Sequence, residues 1–151
     1  MLRLSKKADY ALIAVRHLAL KSGPSSASAR EIAEQYDIPI ELMAKVLQRL
    51  VRAGLLISTQ GTRGGYTLSR PSVTISIADV IEAIDGPFTV TACSSEKNDC
   101  EQFARCNVRD PLQRVRERIL TALGECTIAE LASEVAPTLA TTRAAVLHTH
   151  I

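Results

Sequence analysis

Ser28-Ala29-Arg30-Glu31-Ile32-Ala33-Glu34-Gln35-Tyr36-Asp37-Ile38-Pro39-Ile40-Glu41-Leu42-Met43-Ala44-Lys45-Val46-Leu47-Gln48-Arg49-Leu50-Val51-Arg52-Ala53-Gly54 reads as two short helices joined by a tight turn. Ser28 and Glu31 have capping-box spacing, in which the serine hydroxyl accepts from the Glu31 N–H and the glutamate carboxylate returns to the Ser28 N–H. The helix they open turns Ile32, Ala33 and Tyr36 inward and stops near Asp37. Ile38-Pro39 opens the next, with proline in the first turn, where its missing N–H costs nothing. That helix buries Ile40, Met43, Val46, Leu47, Leu50 and Val51 at three-four spacing and leaves Glu41, Lys45, Gln48, Arg49 and Arg52 outside until Gly54 ends it. A basic-faced second helix after a tight turn makes a helix-turn-helix, whose second helix enters the major groove of DNA.

Downstream, Leu55 to Thr59 and Tyr66 to Ser69 read as paired strands around Gln60-Gly61-Thr62-Arg63-Gly64-Gly65. This hairpin is a wing. Its tip glycines permit positive φ and close approach, and Arg63, the one charge there, can reach a minor groove or a phosphate. Ordinary turn chemistry accounts for the glycines equally well. The candidate DNA contacts are Ser28, Arg30, Glu41, Lys45 and Arg49 on the helix pair, with Gln60, Thr62, Arg63 and Gly64 on the wing.

Upstream, Ser5 caps a helix from Lys6 to Leu20 that keeps Ala8, Ala11, Leu12, Val15, Leu18 and Ala19 on one stripe, widened by Tyr10, Ile13 and Ala14. An apolar face so broad needs cover on more than one side, which a second subunit can supply. His17 on this helix reads as a core or interface histidine. After the wing, a fourth helix is capped by Ser76 with Asp79, buries Ile77, Val80, Ile81 and Ile84, and stops at Gly86-Pro87. Asp110-Pro111 starts a long helix whose Leu112, Val115, Ile119, Ala122 and Cys126 form a seam that asks for a partner helix. Arg114, Arg116, Glu117 and Arg118 lie away from the seam on a solvated face. Thr127 to Glu130 is another capping box, opening a short helix that ends near Val135, and residues 136–151 carry no pattern and are expected to be a disordered tail. The expected fold is mainly α with a small hairpin wing: a winged helix-turn-helix over 1–87, a cysteine loop over 88–108, and a dimerisation helix with a short terminal helix over 109–135.

Residues 1–72 hold 11 Lys and Arg against 5 Asp and Glu, a net of +6, whereas residues 73–151 carry −4. That asymmetry fits a polyanion-binding module joined to a regulatory one. The first residues lack the apolar core of a signal peptide and no run is long enough to span a bilayer, which places the chain in the cytoplasm with no membrane role. No catalytic constellation is present, so the chain does not read as an enzyme.

The second region of chemical interest is the polar loop from Cys93 to Cys106. Six residues separate Cys93 from Cys100 and five separate Cys100 from Cys106, with almost nothing apolar between. In a reducing compartment, closely spaced thiolates of this kind suit zinc, copper(I) or an iron-sulfur cluster rather than a disulfide. Three thiolates leave one position to fill, by Glu96, Asp99, Glu101 or a carboxylate of a partner chain. Cys126, on the apolar seam, reads as a small core residue. Structural zinc on a DNA-binding protein, and a redox or electron-transfer protein, stay open on this reading.

Leu4-Ser5-Lys6-Lys7-Ala8-Asp9-Tyr10-Ala11, Arg63-Gly64-Gly65-Tyr66-Thr67-Leu68, Ile84-Asp85-Gly86-Pro87 and the three-cysteine loop together resemble the IscR and NsrR group of winged-helix transcription regulators, over about residues 1–135. Within it, Cys100-Glu101-Gln102 through Cys106-Asn107-Val108-Arg109 is most similar to regulators of the sulfur-mobilisation pathway of cluster assembly. The resemblance implies a DNA-binding homodimer, a repressor, in which the helix from Asp110 crosses its partner and Cys93, Cys100 and Cys106 hold an iron-sulfur cluster. The first cysteine gap is one residue longer than the five usual in the group. Arg109 stands where the IscR type has a histidine ligand, so the resemblance favours a four-iron over a two-iron cluster. It also favours Asp9 of the partner subunit as the fourth ligand.

Overall fold

The computed structural model describes residues 3–21, 25–91 and 100–133. In order these form α1 (Lys6–Leu20), α2 (Ala29–Gln35), α3 (Ile40–Arg52), β1 (Leu56–Thr59), β2 (Gly65–Leu68), α4 (Ile77–Asp85), α5 (Arg109–Glu125) and α6 (Ile128–Ala132), with 3-10 turns at Ser72–Thr74 and Phe103–Arg105. This is the expected winged helix-turn-helix. Cys93 and the tail fall outside the described residues.

Both helices of the helix-turn-helix end in the same way. Asp37, at φ 53°, takes the left-handed position that glycine usually fills, and the Ile38 N–H returns to the Ala33 carbonyl at 2.9 Å. Gly54, at φ 78°, repeats this after α3, with Leu55 N–H on Leu50 O at 3.0 Å. Each turn thereby carries an apolar residue, Ile38 or Leu55, straight into the core. That core is built on Ala8, Ala11, Ala14, Val15 and Leu18 of α1, Ile32 of α2, Met43, Val46, Leu47 and Leu50 of α3, and Val80 and Ile84 of α4.

Five expectations are corrected. Ile40 is 42 % exposed, because it sits in the first turn of α3, past the elements that cover Met43. Pro39 stands at the N-cap rather than inside the helix. Only half of the Ser28 capping box forms: Ser28 Oγ accepts from Glu31 N–H at 3.1 Å, but the Glu31 carboxylate lies 2.6 Å from Lys21 Nζ at the end of α1. An ammonium offers that carboxylate a stronger partner than a backbone N–H. By contrast the Ser76–Asp79 box closes on both sides, whereas the expected Thr127–Glu130 box forms only its half from Glu130 N–H to the Thr127 hydroxyl, at 3.2 Å. Arg116 is not on a solvated face; half-buried, it donates to the Phe88 carbonyl at 2.8 Å.

One feature was not legible beforehand, and the burial expected of His17 gains its partners. Ile128 of α6 is fully buried, because α6 folds back onto α1 and is tied by Ile128 N–H to Ile75 O at 2.8 Å and by Ile77 N–H to Cys126 O at 2.9 Å. His17 is buried with its Nδ1 3.0 Å from the Tyr36 hydroxyl, the two rings edge to face, and its Nε2 3.8 Å from Glu31 without a hydrogen bond.

Candidate nucleic-acid interface and cysteine loop

The wing is fastened to the start of α2 by backbone bonds. Ala27 N–H donates to Tyr66 O at 3.1 Å, and Tyr66 N–H donates to Ala27 O at 2.8 Å. Gly65, at φ 153°, lies so close that a Cβ there would sit 2.6 Å from the Ala27 carbonyl, and a Cβ on Gly64 would collide with the Thr59 carbonyl. The glycines therefore serve a close approach as well as a turn. Ser26 Oγ donates to the Arg63 carbonyl at 3.0 Å, which holds the Arg63 backbone while its side chain stays exposed.

Of the predicted DNA contacts, Ser28, Thr62, Arg63 and Gly64 share one groove with Ser25 and Ser26 at the junction of wing and α2. Lys45 and Arg49 face a different opening, a cavity of about 320 Å³ between α1, α3 and α4, which Lys7 and Arg52 also line. Arg30, Glu41 and Gln60 are exposed. Arg49 does more than face outward: its guanidinium donates to the Ile84 carbonyl at 2.9 Å, bonding α3 to the last turn of α4.

That last turn is a meeting point. Asp85 accepts both the Ser5 hydroxyl and, at 3.3 Å, the Ser5 N–H, so the residue that caps α1 is itself held by the end of α4. Ser5 at the same time accepts from Ala8 N–H at 3.1 Å. Gly86, at φ 77°, then turns the chain toward Phe88, whose carbonyl receives Arg116 of α5. Two of the sequence stretches singled out above, around Ser5 and around Asp85, are thus one structural unit.

Cys100 and Cys106 are free, half-buried thiols on either side of the Phe103–Arg105 turn, which begins with Phe103 N–H on Cys100 O at 3.1 Å. Arg109 pins this turn to α5. Its guanidinium lies 4.6 Å from the centre of the Phe103 ring, donates to the Phe103 carbonyl at 3.4 Å and pairs with Asp110 at 3.0 Å. Among the described residues no three His, Cys, Asp or Glu side chains converge as a metal site. Two free thiols in a polar turn are nevertheless the donor chemistry a thiophilic metal or an iron-sulfur cluster takes. Asp9 is half-buried in the first turn of α1, beside Arg3 and Ser5. Cys126 differs from the loop thiols: burial, then its contact with Glu130, pushes its pKa up, as suits a packing residue.

The family model for Rrf2, described as an iron-dependent transcriptional regulator, matches residues 4–134. The chain belongs to the Rrf2 family. It is 33 % identical over 133 residues to the HTH-type transcriptional regulator IscR of Vibrio vulnificus (strain YJ016), a match covering 88 % of this chain and 79 % of that one. Among solved structures it is similar to CymR, the global cysteine regulator of B. subtilis, with a TM-score of 0.71 and 28 % identity over 90 % of this chain and all of the other. T. potens IscR shares the fold, with a TM-score of 0.68 at 23 % identity over 99 % of this chain and 94 % of that one. These Rrf2 relatives are transcription regulators and not enzymes, and the chain is an IscR-like, DNA-binding regulator. No described helix is long and apolar enough to cross a membrane.

Proposed function

We propose that this Rrf2 regulator is a cytoplasmic homodimeric repressor whose operator affinity follows the state of an iron-sulfur cluster. Its ligands are Cys93, Cys100 and Cys106, with Asp9 of the partner subunit in the fourth position and four irons favoured over two. The observation that carries this reading is the pair of free, half-buried thiols on a turn continuous with α5. The thiolates are soft ligands and the carboxylate a harder, weaker one, which makes it the exchangeable bond. When bound, the cluster supplies a centre that oxidant, nitric oxide or iron shortage can alter. The chain's own residues carry the change onward: Phe88 receives Arg116 of α5, and Ile84, four residues earlier, receives Arg49 of α3. A shift of the loop thereby bears on the helix offered to DNA, and two such arrangements make a switch.

Anaerobic reconstitution with iron and sulfide tests this. The expected result is a visible absorption band with iron and sulfide bound in the wild type, its loss in Cys93→Ser, Cys100→Ser and Cys106→Ser, and an unchanged fold in all three. Asp9→Ala is expected to shorten cluster lifetime and change operator affinity. A second reading follows the similarity to CymR: regulation of cysteine metabolism without a cluster. Protein that takes up no iron, yet binds its operator tightly, would favour that second reading.

A further inference from the structure

The cavity between α1, α3 and α4 gathers Lys7, Lys45, Arg49 and Arg52 around a floor that includes Val46 and Ile84, and no carboxylate among the described residues lines it. Among the described residues the ion pairs lie elsewhere, at Lys21–Glu31, Arg70–Asp79 and Arg109–Asp110, and none reaches Lys7, Lys45 or Arg52. Arg49 gives one nitrogen to the Ile84 carbonyl, which fixes its guanidinium and leaves other N–H donors free. Lys7 breaks a local rule. It stands in the first turn of α1, where the helix macrodipole is already positive and a cation is disfavoured. Its neighbour Lys6 is accounted for by the Tyr10 ring, 5.6 Å from the ammonium, whereas Lys7 has no such partner among the described residues. Like charges drawn to one opening repel each other, and a local cost that no described residue offsets marks a site for a ligand of opposite charge.

We propose that this cavity seats one phosphodiester of the DNA backbone, with Lys7 and Arg52 as contacts beyond the helix-turn-helix residues already named. The non-bridging oxygens of a phosphate accept the Arg49 fork and the lysine ammonium groups. The cavity is continuous with the outer face of α3 through Lys45 and Gln48, which favours backbone phosphate over a free phosphorylated molecule. The Ser5–Asp85 bonds fix the first turn of α1 against α4 and so hold Lys7 at the cavity mouth. The proposal rests on the DNA-binding reading and adds to it a place and two residues.

The test uses full-length protein, random-sequence duplex DNA and a duplex selected from a random pool by the wild type. Lys7→Gln and Arg52→Gln are each expected to weaken both duplexes by the same factor and to flatten the salt dependence by about one unit of slope. Lys7→Arg, which keeps the charge, restores the slope. Replacing single backbone phosphates by uncharged methylphosphonate is expected to weaken wild-type binding at one position per half-site to which Lys7→Gln has become indifferent. Unchanged affinity and slope in both glutamine variants, with wild-type binding intact, would overturn the phosphate seat and leave the DNA reading standing. Lys7→Gln that loses inorganic phosphate binding but keeps its DNA slope would assign a small-anion site and also overturn it. Wild-type protein that binds neither duplex, with or without reconstitution, would overturn both.

Discussion

α3 and α5 show the same three-four apolar spacing and opposite fates. In α3, Met43, Leu47 and Leu50 are completely buried, closed in by α1, α2 and α4. In α5, seventeen residues long, no side chain is buried, and Val115 on its seam is 43 % exposed. Periodicity tells which residues share a face. What covers that face depends on whether the chain has another element to bring there. The N-terminal unit uses its own helices, whereas α5 packs against α4 and keeps the rest of its seam open.

The comparison breaks most sharply under truncation. Leu47→Ala should cost about 2–5 kcal/mol of folding stability in urea unfolding, since it leaves a cavity in a closed core. Val115→Ala in dilute protein should cost under about 1 kcal/mol. If the two losses were equal, the α5 seam would be covered within one chain. Sedimentation over a concentration series supplies the complement, because Val115→Glu should raise the concentration at which a dimer forms without lowering the monomer's melting temperature.

A smaller effect is expected at the capping box that closes. Ser76→Ala removes the cap of a box closed on both sides and should cost about 1 kcal/mol by thermal unfolding. At the cysteine turn, Arg109→Ala removes the stack on Phe103, a contact of about 0.5–1 kcal/mol, so alkylation of Cys100 and Cys106 should quicken by roughly two- to five-fold. Cys126 is the internal control: its raised pKa keeps it protonated, its alkylation should be slow at neutral pH, and Arg109→Ala should leave it unchanged.

The smallest expected effect is electrostatic. The hydrogen bond from Lys21 lowers the Glu31 pKa against an opposing push from burial. A carboxyl depressed in the folded state stabilises above its unfolded pKa, and that contribution fades as pH falls through the folded value. The melting-temperature gap between wild type and Glu31→Gln should therefore be present at neutral pH and close in acid. A gap independent of pH would mean that the Lys21–Glu31 pair contributes nothing.

Much of this molecule can be read from local chemistry. Ser5, Ser28, Ser76 and Thr127 all cap the helices they were expected to cap, because a cap needs only residues within one turn. The two strands came within a residue of their observed ends, since Gly61 to Gly65 leaves little choice of turn. Charge and position alone nominate Arg63 and Lys45 as DNA contacts; Lys7 and Arg52 are proposed only from the structure, because nothing in their own segments says that α1 and α3 converge on one cavity.

The amino-acid order by itself determined the helix-turn-helix and its wing, because caps, left-handed turns and apolar spacing act between residues a few positions apart. Only the tertiary structure decided that Glu31 leaves its capping box for Lys21, that Ile128 returns to the core, and that Ser5, Arg49 and Arg116 meet the segment from Ile84 to Phe88. Those side-chain bonds join residues from 10 to 80 positions apart, Lys21 to Glu31 at the short end and Ser5 to Asp85 at the long one. A side chain's choice among competing partners is settled by which one the fold delivers within about 3 Å, and sequence spacing carries no record of that distance.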